Sequence, residues 1–202
     1  MANYKRPRPH AHNYDVDKYK YVYIPLQAQG WVAVANASDN ADDIAVEDAI
    51  TTVGVGNPSF GEIGSTGIAA LKPDAAGDMI GLTFNVPYDC DVESGIDFAV
   101  QWSSTSTTTT DTATFKVEYT KHTIDTTALA TGGTALDTVI AADTNVAGAS
   151  AIQQTAWGTI NGGTLTNGDF LALNVECDAV SGMAATTIGM YNLVIRYVRR
   201  AL

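Results

Sequence analysis

Asp89, Asp91 and Glu93 place three carboxylates on alternate residues of one short segment. In a loop, such oxygens could converge on Ca²⁺, which takes six to eight of them. The spacing is not that of an EF-hand loop and no further ligand set accompanies it. A solvated acidic turn is therefore expected, as it is for Asp39, Asp42 and Asp43. His10 and His12 stand two apart, but a structural metal site needs four ligands and only these two are in view. His122 has no evident companion. No metal and no other cofactor is expected. Cys90 and Cys177 show neither CxxC nor metal spacing, so two buried thiols are expected, with a Cys90–Cys177 disulfide as the alternative. Trp31, Trp102 and Trp157 could stack on sugars. Trp102 continues an apolar alternation and belongs in a core, which leaves Trp157 as the main candidate. There is no nucleophile elbow, P-loop, HExxH or dinucleotide fingerprint. A glycosidase needs only two carboxylates, yet nothing selects a pair among the 22 acids. The chain reads as a non-enzyme.

If the chemistry is binding, charge says where. Of eleven Lys and Arg, five lie in the first twenty positions (Lys5, Arg6, Arg8, Lys18, Lys20) and three close the chain (Arg196, Arg199, Arg200). Between Tyr21 and Ile195 only Lys72, Lys116 and Lys121 face twenty acids, a balance of −17 within a chain of −11. Such asymmetry speaks to partners and solubility, not to fold. It predicts an acidic body with basic ends that dock, through Lys5, Arg6, Arg8, Arg196, Arg199 and Arg200. Against Asp15 and Asp17 the N-terminal five leave only +3, too thin to condense a genome. Nucleic acid is not expected as a partner. No run of about 18 apolar residues exists, so no membrane is expected either. Basic residues near the N-terminus are followed by Pro7, Pro9 and His10 rather than an apolar stretch, unlike a secretory signal.

The elements that must carry these groups read as strands. Residues 1–17 form an extended arm, because Pro7 and Pro9 remove donors and push their neighbours into extended geometry. A docked strip is expected there, with a loose tail as the alternative. From residue 18 to 202 the period is two. Tyr19, Tyr21 and Tyr23 share one face of a first strand that ends at Pro25. Trp31–Val34 and Ile50–Val55 are further short candidates, and Gly54–Gly77 reads as an irregular connection. Ile80, Leu82, Phe84 and Val86 alternate, then Ile96, Phe98, Val100 and Trp102. Alternation of this quality is the strongest strand signal in a single sequence. The Ser/Thr run 103–112 with its lone Asp111 reads as an exposed loop. Phe115, Val117 and Tyr119 follow, then weaker strands at Leu136–Ala141 and Ile152–Ile160. Leu171, Leu173, Val175 and Cys177 come next, and last Tyr191, Leu193, Ile195 and Tyr197 within Ile188–Val198. No helical period of useful length appears. The expectation is an all-β antiparallel β-sandwich of about nine or ten strands, a jelly roll.

Gly77-Asp78-Met79 leading into Val86-Pro87-Tyr88-Asp89, then Ile96–Trp102, Phe115–Tyr119, Gly168-Asp169-Phe170-Leu171 and a last strand ending in Tyr197 form one pattern. Over roughly Trp31 to Tyr197 it resembles the jelly-roll capsid decoration, or cement, proteins of tailed phages. The resemblance implies a subunit on the outside of a virion head, trimeric, with termini that reach neighbouring major capsid protein. Thr, Ala and Val on the strand faces suit contacts between copies. Two other readings stand beside it. One is a single-jelly-roll major capsid protein of a tailless virus. The other is a receptor- or carbohydrate-binding virion module, which exposed tryptophan beside an apolar groove would favour.

Overall fold

Wherever apolar residues alternate, one face of the strand can enter a core while Thr, Asn and Lys face water. That requirement shapes the computed structural model, which describes residues 18–26, 59–63, 68–123, 135–139, 143–144, 151–160 and 165–200. The strands among them are β1 (Tyr19–Pro25), β2 (Ser59–Glu62), β3 (Ala69–Lys72), β4 (Met79–Asn85), β5 (Ile96–Ser104) and β6 (Thr112–His122). Then come β7 (Ala135–Val139), β8 (Asp143–Thr144), β9 (Gln153–Gln154), β10 (Gly158–Ile160), β11 (Phe170–Ser181) and β12 (Ile188–Val198). No helix among the described residues is long and apolar enough to cross a membrane.

The strands form two antiparallel sheets. The first runs β10-β5-β12-β3-β2, with β1 also on β12 and β9 on β5; the second runs β4-β11-β6-β7, with β8 on β6. Apart from the β2–β3 and β6–β7 hairpins and the short strands around them, successive strands alternate between the sheets. The order β3-β12-β5-β10 facing β4-β11-β6-β7 is the connectivity of a jelly roll. Between the sheets lie Ile96, Phe98, Val100 and Trp102 of β5, Phe115, Val117 and Tyr119 of β6, and Leu171, Leu173, Val175 and Cys177 of β11. Trp102 and Phe115 meet across the gap at 5.3 Å with rings tilted 53°, a favoured aromatic geometry. Cys90 and Cys177 are both buried free thiols.

Three expectations need correction. Within Gly54–Gly77 the structure has the β2–β3 hairpin, whose four-residue strands are too short to announce themselves by alternation. The Ser/Thr run is not wholly exposed: β5 extends to Ser104, and both Ser103 and Ser104 are buried. Asp111 is buried too, and its carboxylate accepts a hydrogen bond from Ser106 Oγ. Finally, Tyr191 does not continue the inward face of β12. A bulge between Met190 and Asn192 shifts the register. Met190, Leu193, Ile195 and Tyr197 point into the core, whereas Tyr191 packs with Ile63 and Ala70 on the far side. There its hydroxyl meets Ser103 Oγ at 2.8 Å. Bulges of this kind re-aim a side chain. Trp31–Val34, Ile50–Val55 and the arm 1–17 lie outside the described residues.

Candidate functional site: a basic pole and an aromatic sheet face

The site begins with one pairing. β1 runs antiparallel to β12 from Tyr19↔Val198 to Pro25↔Asn192. Residues that open the described chain therefore lie beside those that close it: Arg199 N donates to Lys18 O at 3.1 Å. The segment between β4 and β5 joins them. Cys90 bridges to Arg199, Arg200 N donates to Asp89 O at 2.8 Å, and Asp91 N donates to Val198 O at 2.8 Å. Lys18, Lys20, Arg199 and Arg200 thus share one end of the sandwich, and the chain from residues 1–17 joins it there. Lys5, Arg6 and Arg8 themselves lie outside the described residues.

Asp89 organises this pole. Its carboxylate accepts from Lys20 Nζ at 3.2 Å and from Tyr197 Oη at 3.0 Å, and Arg199 Nε lies 3.3 Å away. The Lys20 hydrogen bond, helped by Tyr197 and by the Lys20 and Arg199 charges, holds the Asp89 carboxyl below its usual range despite some burial. Asp91 instead accepts from Ser94 Oγ at 2.9 Å. Asp89 and Asp91 thus engage different partners. No group of three or more metal-capable side chains occurs among the described residues. Tyr88, next to Asp89, is 83% exposed. Its ring rests against Gly168, whose φ of 87° suits glycine and where a Cβ would come within 3.2 Å of Tyr88 Oη. An exposed tyrosine is of a residue type enriched in interface hot spots.

The second region is the outer face of the first sheet. Tyr19, Tyr21 and Tyr23 do share a face, and it points outward, because Val22 and Ile24 pack on the core. The registers set the rows across the sheet. Tyr21, Arg196, Asp97 and Thr159 form one row. Pro25, Asn192, Gln101 and Gln154 form another. In the first row Arg196 Nε donates to Asp97 Oδ2 at 2.7 Å, and Thr159 Oγ1 donates to Asp97 Oδ1 at 2.6 Å. The guanidinium lies 4.1 Å from the Trp157 ring centroid and 4.9 Å from that of Tyr19. Desolvation opposes the Arg196 charge, but hydrogen bonds from its guanidinium to Asp97 and Tyr21 prevail and raise its pKa. Tyr21 and Trp157 approach to 6.3 Å although three strand spacings separate their backbones. Between their strands Val194 and Ala99 are buried.

In the second row Asn192 Nδ2 donates to Gln101 Oε1 at 2.7 Å, and Gln101 Nε2 reaches Gln154 Oε1 at 3.5 Å. Three amides thus line up across three strands. On the preceding rows of the same face Tyr23 and Tyr21 stay 57% and 45% exposed. Of the three tryptophans, Trp102 is in the core and Trp157 on this face, while Trp31 lies outside the described residues. His122 is buried against Phe170.

Sequence reasoning singled out Arg196, Arg199 and Arg200 together. The structure holds Arg196 against Asp97 and two rings, one of which, Tyr19, it shares with Lys18 Nζ at 5.5 Å, whereas Arg199 and Arg200 bond to the Asp89 segment. Tyr88, Asp97, Gln101, Gln154 and Asn192 went unremarked as binding groups. Only the spacing of outward positions on β5 and β12 could have marked Asp97, Gln101 and Asn192, while Gln154 sits on the two-residue β9, too short to show a spacing.

No family model matches the chain, and no curated protein matches it. Solved structures with some likeness include the CBM22-1 and GH10 modules of a Clostridium thermocellum endo-1,4-β-D-xylanase complexed with xylohexaose. There the TM-score is 0.39 at 16% identity, over 76% of this chain and 25% of that one. Dimeric latent PorU from Porphyromonas gingivalis gives a TM-score of 0.36 at 7% identity, over 90% of this chain and 13% of that one. Likenesses this loose bear on neither ligand nor partner.

Proposed function

We propose that this chain is a structural subunit of a virion, a decoration or cement protein that attaches to the major capsid protein by its basic pole. The observation that carries the reading is the β1–β12 register, which sets Lys18 and Lys20 beside Arg199 and Arg200. An acidic body of −17 would repel an acidic shell, whereas a single cationic end orients the subunit and steers its encounter. The arm then extends the contact. Its prolines lower the ordering cost of a docked strip, and Lys5, Arg6 and Arg8 add charge. Tyr88 supplies an apolar anchor within that charged rim. The subunit acts as a homo-oligomer, a trimer in keeping with the family it resembles, on the capsid surface.

The test is co-sedimentation of the full chain and of a chain lacking residues 1–17 with undecorated phage heads. The full chain should bind at about 0.1 M salt and weaken by 0.5 M, where the screening length falls well below 10 Å. The shortened chain should fold and bind at least several-fold more weakly. Equal binding by both at both salts refutes docking through the basic ends. Light scattering that shows only a 21.2 kDa species counts against a preformed trimer.

A further inference from the structure

We infer that the outer face of the first sheet is a binding platform for a neutral oligosaccharide, formed by Tyr21, Tyr23 and the Asn192–Gln101–Gln154 amide row. The inference is independent of docking at the pole.

Three observations support it. Tyr21 and Tyr23 are two of the most exposed large apolar side chains described, and they lie on one face of one strand. Aromatic faces carry negative quadrupole charge, which suits the slightly positive C–H face of a pyranose. The row that follows Tyr23 on this face, two residues on in the β1–β12 register, holds three amides joined by two bonds. Each amide has two donor hydrogens and two acceptor lone pairs, so the row has capacity left for hydroxyls, which themselves both donate and accept. The third observation concerns charge. Arg196 and Asp97 neutralise one another between the rings, so Tyr21, Tyr23 and the amide row meet no net charge from that pair, and the Lys18 ammonium lies over Tyr19 instead, 5.5 Å from its ring centroid. An acidic ligand would meet the surrounding field, and a cationic one would find Asp97 already engaged. A neutral, hydroxyl-rich ligand suits both the rings and the amides.

The platform is also held in place beforehand. Arg196 is fixed by Asp97 and lies between Tyr19 and Trp157, and Trp157 in turn contacts Tyr21. Tyr21, held in this way, loses little freedom on binding, which is where a shallow site gains affinity.

The experiment titrates the full chain with cellohexaose, xylohexaose, maltohexaose and hexa-N-acetylchitohexaose, following tryptophan fluorescence and heat at 0.1 and 0.5 M salt. At least one hexasaccharide should bind saturably, with affinity unchanged by salt. Tyr21→Ala and Tyr23→Ala should each weaken it about tenfold, and Gln154→Ala about threefold. Tyr23→Ala should melt with the parent, and Tyr88→Ala, at the pole, should bind as the parent does. The proposal is overturned if none of the four sugars binds at millimolar concentration, or if binding survives both tyrosine changes. Binding confined to a sulfated polymer such as heparin and abolished by salt overturns it as well, because that ligand belongs to the basic pole. So does loss of self-association in Tyr23→Ala without any sugar binding, which would assign the face to contact between copies.

Discussion

Arg196 and Arg199 stand three residues apart at one end of one strand and do different work. Arg196 is partly buried, bonded to Asp97 at 2.7 Å, and flanked by two aromatic rings. Arg199 is half-exposed and shares Asp89 with Lys20 and Tyr197. The difference is one of surroundings. Where rings and a carboxylate that Thr159 also holds exclude water, an arginine is a structural pin whose loss disturbs packing as well as charge. Where water surrounds the pair, the ions contribute little to folding and stay available to a partner. A cation count along the sequence treats the two alike, and the fold does not.

That comparison needs a scale, and the core gives its upper end. Phe98→Asp buries an unpaired carboxylate at a fully enclosed position and should cost several kcal/mol, on the order of the whole margin of such a domain. Phe84→Asp, at a position only partly buried, should cost less. Chemical denaturation checks both, and a melt within a few degrees of the parent for Phe98→Asp would refute the inward face.

Below that ceiling comes Gly189→Ala. A Cβ there would overlap Ile63 Cγ1 and lie 2.9 Å from Ala70 Cβ, so overpacking of about 1–3 kcal/mol is expected. Arg196→Ala follows at about 1–2 kcal/mol, since it removes two cation–π contacts and one charge-assisted bond. Lysine should not restore it, because an ammonium cannot stack flat on a ring. If Arg196→Ala and Arg199→Ala prove equally mild, the distinction between pin and docking charge fails.

The smallest effect is at Asp89. Its folded pKa lies below the unfolded value, so its contribution is complete above about pH 4 and fades as pH falls through the folded pKa. Melting curves of the parent and Asp89→Asn should therefore differ most near neutral pH and converge in acid. A gap that widens in acid would contradict the Lys20–Asp89–Tyr197 arrangement.

Burial pushes the Cys177 thiol up to about 12 and the Cys90 thiol to about 11. At pH 8 neither should react with a maleimide until the chain unfolds.

Much of this fold is legible in the sequence where strands are long. β4, β5, β6 and β11 show their inward residues by alternation, and Trp102 follows from Phe98 and Val100. β2, β3, β9 and β10 have two to four residues each, too few to display a period. Tyr191 misleads because a bulge adds one residue to β12, and nothing local to Met190-Tyr191-Asn192 announces it. The sites are less legible than the core for a further reason. That Lys18 meets Arg199 depends on a pairing between strands separated by almost the whole chain, and long-range register leaves no local trace. The amide row likewise brings Gln101, Gln154 and Asn192 together from three strands.

The most direct test of the account compares two charge changes in binding to undecorated heads at 0.1 M salt. Arg199→Glu combined with Arg200→Glu should abolish co-sedimentation while leaving the melting temperature near that of the parent. Arg196→Ala should lower the melting temperature and leave binding of the folded protein intact. If the double change binds like the parent and Arg196→Ala alone detaches the subunit, the docking charge lies on the sheet face and not at the pole, and the account is wrong.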